Sequence, residues 1–201
     1  MNLGNVAIAC LVAVCVVNPA AAQRPSTHTY KGQDGTFAIE YRDPLIACRK
    51  AAQSWEPMES CDACGDSDIA CVAYPTEKVA GTNFVSGTFS VGEIPDARDQ
   101  TACLTGMGVP DFPTPASRKI HGVTFRVVHR DGVASGTAAE TYQYRAFHGS
   151  KCYELNVGTS SMNPEIADPG VIKKLPESTR RKIDAILERA LDSFRFLKYP
   201  S

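Results

Sequence analysis

From His121 to Val157 hydrophobic and polar positions alternate in twos. Val123, Phe125 and Val127 are separated by Thr124, Arg126 and Val128, the pattern of a strand with one buried and one wetter face. The β-branched and aromatic content agrees. The polar Arg130-Asp131-Gly132 segment is the expected turn, with small residues following through Ala139. A second run, Thr141 to Phe147, sets Tyr142, Tyr144 and Ala146 on one face, and His148-Gly149-Ser150 interrupts it. A third, Cys152 to Val157, puts Tyr153, Leu155 and Val157 on the same kind of apolar face. So short an interruption predicts an antiparallel pair, and the shared apolar face needs a cover.

The period changes near the C-terminus. Ile183, Ile186, Leu187, Ala190, Leu191 and Phe194 recur at i, i+3, i+4, i+7, i+8 and i+11, one stripe of an amphipathic helix over Glu177 to Phe194. Arg180 and Asp184 form an i, i+4 pair on its polar side, worth only a few tenths of a kcal/mol. The stripe outweighs it, at about 1.5–3 kcal/mol for each large side chain buried. Phe194 to Tyr199 is expected to close with a short extended segment.

Upstream, Phe37, Ile39 and Tyr41 alternate in an opening strand. Asp43-Pro44 fits a helix start, so Leu45 to Trp55 reads as a short helix, or Leu45 to Cys48 as an extension of the strand. Cys71 to Tyr74 and Phe84 to Ile94 are further strands, the glycines of the second pointing to a bulge or a close backbone approach. Asp96 to Leu104 fits one or two helical turns. Pro110, Pro113 and Pro115 form a surface connection to Lys119. Gly158 to Leu175, with Pro164, Pro169 and Gly170, reads as a wrapped loop. The fold class is therefore α+β: an antiparallel β-sheet with a C-terminal amphipathic helix packed on one face, stabilised by disulfides.

Composition sharpens this at the N-terminus. Residues Met1 to Ala22 carry no charged side chain, have an apolar centre from Val6 to Val17 and end in Pro-Ala-Ala-Ala. That is the pattern of a cleaved signal peptide, too short in its apolar part to span a bilayer. It predicts a secreted or periplasmic chain divided into a signal at 1–22, a polar flexible arm at 23–34 and a single α+β domain at 35–201, without a transmembrane span in the mature chain. With 21 basic against 22 acidic side chains, nothing marks it for nucleic acid.

Six cysteines follow the signal: Cys48, Cys61, Cys64, Cys71, Cys103 and Cys152. In an exported chain an even number reads first as disulfides. Sequence alone does not choose the connectivity; the expected pairs are Cys61 with Cys64, Cys48 with Cys71, and Cys103 with Cys152. The last closes a long loop, for which the chain-entropy model gives about 4 kcal/mol.

The order of elements resembles a family. The aromatic-alternating first strand (Phe37, Ile39, Tyr41), Gly122-Val-Thr-Phe125, Tyr144-Arg145, Cys152-Tyr-Glu-Leu155 and a closing helix into Ser193-Phe-Arg-Phe196 look like an exported bacterial relative of the PsbP/Mog1-like domains. The resemblance covers most of the mature chain by layout. It implies an antiparallel sheet with packed helices, and a role in binding partners or assisting assemblies. The motifs are short, and the cysteine-rich stretch near Cys61 departs from the simple pattern, so no functional residue is carried across.

The sharpest local motif is Cys61-Asp-Ala-Cys64. A redox CxxC needs a thiolate favoured by a helix N-terminus or by cations, whereas Glu59, Asp62, Asp66 and Asp68 crowd this one. A structural bridge is expected instead. Cys48, Cys61, Cys64 and Cys71 are also a donor set for tetrahedral zinc, although the outer two do not form a second CxxC. Asp62, Asp66 and Asp68 lack the ligand order of a calcium loop. His121, His129 and His148 fall near strand ends, where a hydrolytic base would fit, and His28 lies in the polar arm. No HExxH or GxSxG accompanies them. Tyr142, Tyr144, Tyr153 and Phe125 read as core.

Arg126, Gln143, Arg145 and Glu154 are read onto the sheet face opposite the helix, where they either form a candidate binding face or are covered by a second helix or loop. Together these readings describe a non-catalytic exported domain that binds a protein or a small ligand, with no cofactor. The alternative is a thiol-redox or metal-binding protein built on the Cys61/Cys64 loop.

Overall fold

A computed structural model of the chain describes residues 25–51, 54–55, 59–105, 107, 116–166 and 170–197, for residues 50, 51, 54, 55 and 59 by backbone alone. The expected signal at 1–22 and the prolines at 110, 113 and 115 lie outside these residues. The strands are β1 (Thr27–Lys31), β2 (Phe37–Arg42), β3 (Ile46–Cys48), β4 (Lys50–Ala51), β5 (Ser54–Trp55), β6 (Asp68–Ala73), β7 (Phe84–Glu93), β8 (Ala116–Ile120), β9 (Val123–Ala134), β10 (Thr137–His148), β11 (Lys151–Met162) and β12 (Arg195–Phe196). Helix α1 (Gln100–Thr105) precedes β8, and α2 (Glu177–Ser193) precedes β12. Seven strands form one sheet in the order β3-β6-β7-β11-β10-β9-β8, every pair antiparallel. A second sheet, β1-β2-β12, and the β4-β5 pair complete the strands. Among the described residues no helix is long and apolar enough to cross a membrane.

The meander β8-β9-β10-β11 reverses three times through two-residue turns, at His121-Gly122, Ser135-Gly136 and Gly149-Ser150. All six residues have positive φ, from 42° to 88°, as type I′ hairpin turns require. Arg130-Asp131-Gly132, expected to turn, is instead strand, paired with Thr141, Glu140 and Ala139. Within the meander the chain reverses only where both central residues adopt positive φ. His121 likewise sits in a turn, not in the strand it was read with. The expected loop from Gly158 begins later, because Gly158 to Met162 continue β11.

The front face of the large sheet is apolar. Phe89, Val91, Phe125, Tyr144, Ala146, Tyr153, Leu155 and Val157 are buried there, and Ile183, Leu187, Ala190, Leu191 and Phe194 cover them. Gly87 lets α2 approach: a Cβ there would lie 3.3 Å from Ile183 Cγ2 and 3.4 Å from Leu187 Cδ1. Phe194 meets Phe37 of β2, Phe125 of β9 and Phe196 of β12 at ring-centroid distances of 5.6, 6.1 and 5.0 Å, which joins the two sheets.

Two expectations change near the N-terminus. The flexible arm is a strand from Thr27 to Lys31, paired with β2 through Thr27↔Arg42 to Lys31↔Ala38. Its polar side chains face outward while its backbone completes the ladder, and Tyr30 anchors it by donating a hydrogen bond to the Ile69 carbonyl at 3.1 Å. The described residues between Leu45 and Trp55 form short strands and no helix, and Ile46–Cys48 does not extend β2, which ends at Arg42, but joins the large sheet beside β6.

The back face is held differently. At one end Cys48, Cys61, Cys64, Cys71 and Ala73 form a small cluster; at the other, Ala97, Cys103 and Cys152 form another beside α1. Cys103 pairs with Cys152, but the other bridges are Cys48–Cys61 and Cys64–Cys71. The expected Cys61–Cys64 and Cys48–Cys71 pairs are therefore corrected. Pairing of β3 with β6 sets Cys48 opposite Cys71, beneath the turn that carries Cys61 and Cys64, and each strand cysteine bonds to the turn instead of to its neighbour. The chain-entropy model separates the two pairings by only a few tenths of a kcal/mol, so the choice belongs to local geometry.

The link after β11 is clamped by Asn83. Its Nδ2 donates to the Met162 carbonyl at 2.9 Å, and its Oδ1 accepts from the Leu175 N–H at 2.7 Å.

Candidate functional site: a groove beside helix α2

Ile186 belongs to the helical stripe, yet it is only partly buried. It lines a groove of about 640 Å³ between α2 and the β1–β2 edge, floored by Pro25, Tyr41, Ala185, Ile186 and Ala190. The floor is apolar because β2 turns Tyr41 towards the helix, while α2 presents the flank of its stripe. Ser193 closes one end: its Oγ accepts from the Glu40 N–H at 2.7 Å and lies 2.8 Å from the Glu40 carbonyl, to which it can donate.

Charge around the groove is uneven. Arg42, Arg181, Lys182 and Arg189 line it and are exposed. Its acidic residues are engaged by partners outside the lining: Glu40 by Arg195 at 2.9 Å, Asp192 by Arg118 at 2.5 Å and Asp43 by His28 at 3.1 Å. The His28 hydrogen bond, followed by that of the Ser26 N–H, holds the Asp43 carboxyl below its ordinary pKa, so it stays charged and paired. The only ion pair among the described residues that reaches a basic group of the rim is a 3.7 Å contact of Arg181 with Glu177. Basic side chains above an apolar floor can hold an anionic group attached to an apolar body.

The sequence-derived binding face is organised otherwise. Arg126, Arg145 and Glu154 share one row of the back face, and Gln143 lies in the next with Asn156. Arg145 Nε donates to Glu154 Oε2 at 2.5 Å, and Asn156 Nδ2 donates to the other oxygen at 3.2 Å. Arg126 donates to the Leu104 carbonyl at 2.9 Å, and Arg130 to Gln143 and the Met107 carbonyl at 3.3 and 3.0 Å. These contacts join Arg145 to Glu154 and tie Arg126, and Gln143 through Arg130, to the chain around α1. Sequence reasoning missed the groove because Ile186 looks like core in a helical period, and the β1 edge was read as an arm. Arg181-Lys182 followed by Ala185-Ile186 was the available signal.

Other candidates are accounted for. Asp68 accepts from the Gly65 N–H at 2.7 Å, holding the turn, while Asp62 and Asp66 are exposed. His129 stacks on Tyr142 with centroids 4.5 Å apart and pairs with Glu140 at 3.2 Å; His148 stacks on Phe196 at 4.0 Å. Tyr144, Tyr153 and Phe125 are core as expected, but Tyr142 is exposed. A second cavity of about 570 Å³, lined by Asp34, Asp68 and Glu93, is more polar, and Lys151 bridges two of its carboxylates at 3.4 and 2.7 Å.

No protein-family model matches the chain, and no curated protein matches it. Several solved structures are similar in layout, among them three that follow. One, from Bacteroides thetaiotaomicron, has a TM-score of 0.48 at 9% identity over 86% of this chain, which spans about half, 49%, of that protein. LpqN of Mycobacterium tuberculosis, a protein involved in cell envelope biogenesis, has a TM-score of 0.48 at 7% identity over 88% of this chain and 93% of its own. Cyanobacterial PsbP (CyanoP) from Synechocystis has 0.45 at 9% over 90% and 99%. At these identities and scores the likeness is one of layout, and function rests on this chain's own residues.

Proposed function

We propose that the chain is an exported, non-catalytic accessory domain that binds a partner polypeptide in the groove beside α2. The observation that carries this reading is the mismatch at that groove: an apolar floor with four exposed basic side chains, while its acidic residues are paired elsewhere. The partner segment is acidic and carries an apolar anchor that fits between Tyr41 and Ile186. Export is supported by the uncharged, apolar stretch at 1–22 and by three disulfides, which persist outside the cytosol.

Selection from a random peptide display library tests the reading. Acidic sequences with one or two large apolar residues should be enriched. Exchanging Lys182→Glu together with Arg189→Glu should weaken the selected peptides by about tenfold or more, roughly 1.4 kcal/mol, with fold intact by circular dichroism. Enrichment of no such class, or affinity unchanged by the double exchange, would overturn it.

A further inference from the structure

A second chemistry lies on the back of the sheet, independent of the groove. Cys48, Cys61, Cys64 and Cys71 are 1%, 0%, 7% and 0% exposed. The Sγ atoms of Cys48, Cys64 and Cys71 all lie within 4.8 Å of one another, and Cys61 Sγ is bonded to that of Cys48. The cysteines that are not bonded to each other are also neighbours. Cys48 stands opposite Cys71 in the β3–β6 ladder, and opposed residues of an antiparallel pair have Cα atoms about 4.5–5.5 Å apart. The Cys64 N–H donates to the Cys61 carbonyl at 3.0 Å, which closes a turn whose ends lie within about 7 Å.

A cross-strand pair thus faces a CxxC turn, with all four sulfurs in one small buried volume. Tetrahedral zinc with Zn–S bonds of about 2.3 Å needs sulfurs about 3.8 Å apart. The two bonded pairs stand at 2.04 and 2.11 Å and open by about 1.7 Å once reduced, while Cys48 Sγ already lies within 4.8 Å of those of Cys64 and Cys71. We infer that, with both disulfides reduced, Cys48, Cys61, Cys64 and Cys71 bind one zinc ion as four thiolates.

The interconversion balances. Each disulfide takes two electrons and two protons from a dithiol, which leaves as its own disulfide. The zinc ion then displaces four thiol protons, and no further electrons move. In either state the turn stays fastened to β3 and β6, because the ion replaces two sulfur–sulfur links with four metal–sulfur bonds. Cys103 and Cys152, on the other cluster, supply only two sulfurs. The nearby Asp62 and Asp66 are exposed, so water and salt screen their charge from the buried centre.

The full-length protein, reduced with a phosphine and titrated with Co²⁺, should show the intense thiolate-to-cobalt charge-transfer band of a tetrahedral sulfur site. Zn²⁺ should displace the cobalt at one ion per chain. Cys64→Ser should lower zinc affinity on the order of 100-fold, and Cys103→Ser should leave the stoichiometry at one. Absence of the band in the reduced wild-type chain would overturn the inference whatever the variants do. So would equal loss of zinc from Cys103→Ser. Failure here leaves the peptide selection unaffected, since that is done on the oxidised protein.

Discussion

The two faces of the seven-stranded sheet are covered by different physical means. On the front, α2 lays Ile183, Leu187, Leu191 and Phe194, none more than 1% exposed, against an apolar sheet surface. On the back, a polar row containing Arg126, Arg145 and Glu154 separates two small clusters, each tied to the sheet by disulfides. Where the strands present large apolar side chains, burial is the main force that fixes the covering element, with ion pairs from Arg118 and Arg180 at its edges. Where they present charged ones, the covering segments are short and covalent links do that work. A loop of 13 or 7 residues' separation closes at a benefit of about 3 or 2 kcal/mol in the chain-entropy model, comparable to one buried leucine on the opposite face.

The contrast can be broken most sharply at Phe194. Phe194→Ala should cost about 3–5 kcal/mol in chemical denaturation, because the ring meets three other aromatic rings and leaves a cavity between the two sheets. A loss below about 1 kcal/mol would mean that the front face is not held by packing.

Next in size is the back face. Replacing Cys48 and Cys61 together by Ala should cost about 3 kcal/mol, and Cys64 with Cys71 about 2. Amide exchange should speed up mainly in β3 and β6 and leave α2 protected. Uniform loss of protection over both faces would show that the two covers are one cooperative unit.

The smallest effect separates the covers by charge. Asp184, on α2, has its pKa raised by burial, with Glu140, Glu177 and Glu188 adding to the rise and Arg180 opposing it. The folded state therefore holds the proton more tightly than the unfolded chain. The stability this contributes is present below the ordinary pKa of 3.8 and is lost as pH rises through the raised value. Asp184→Asn should accordingly raise Tm at neutral pH, with the gain shrinking as pH falls towards 3.8. A gain independent of pH would point to a cause other than titration.

Arg180 shows how far a helical pattern reaches. The i, i+4 spacing paired it with Asp184, and its charge does act on that carboxyl. Its guanidinium, however, extends to Glu140 Oε2 and Thr159 Oγ1, both at 3.1 Å, on the meander. Local spacing supplied the nearest intrahelical neighbour; packing supplied the partner. Ile186 is the same lesson for the candidate site, since a helical period counts it with the core while the position of the β1–β2 edge leaves it lining a groove. In the meander the turns were legible as His-Gly, Ser-Gly and Gly-Ser dipeptides, but a polar Arg-Asp-Gly triplet masked the real reversal, because polarity marks exposure as readily as it marks a turn.

The amino-acid order by itself determined the alternation of β9 to β11, the span of α2 and the face that each buries, because side-chain period and chain direction are local properties. It also supplied the six cysteines from Cys48 to Cys152 that form the three bridges. Only the tertiary structure decided which of them meet, since Cys48 and Cys71 become neighbours only when β3 pairs with β6 and the partner of each is then set by the turn above them. The groove has the same origin: its two walls lie about 140 residues apart in the chain, as Glu40 and Ser193 do at 153, and no local pattern records a distance that folding alone closes.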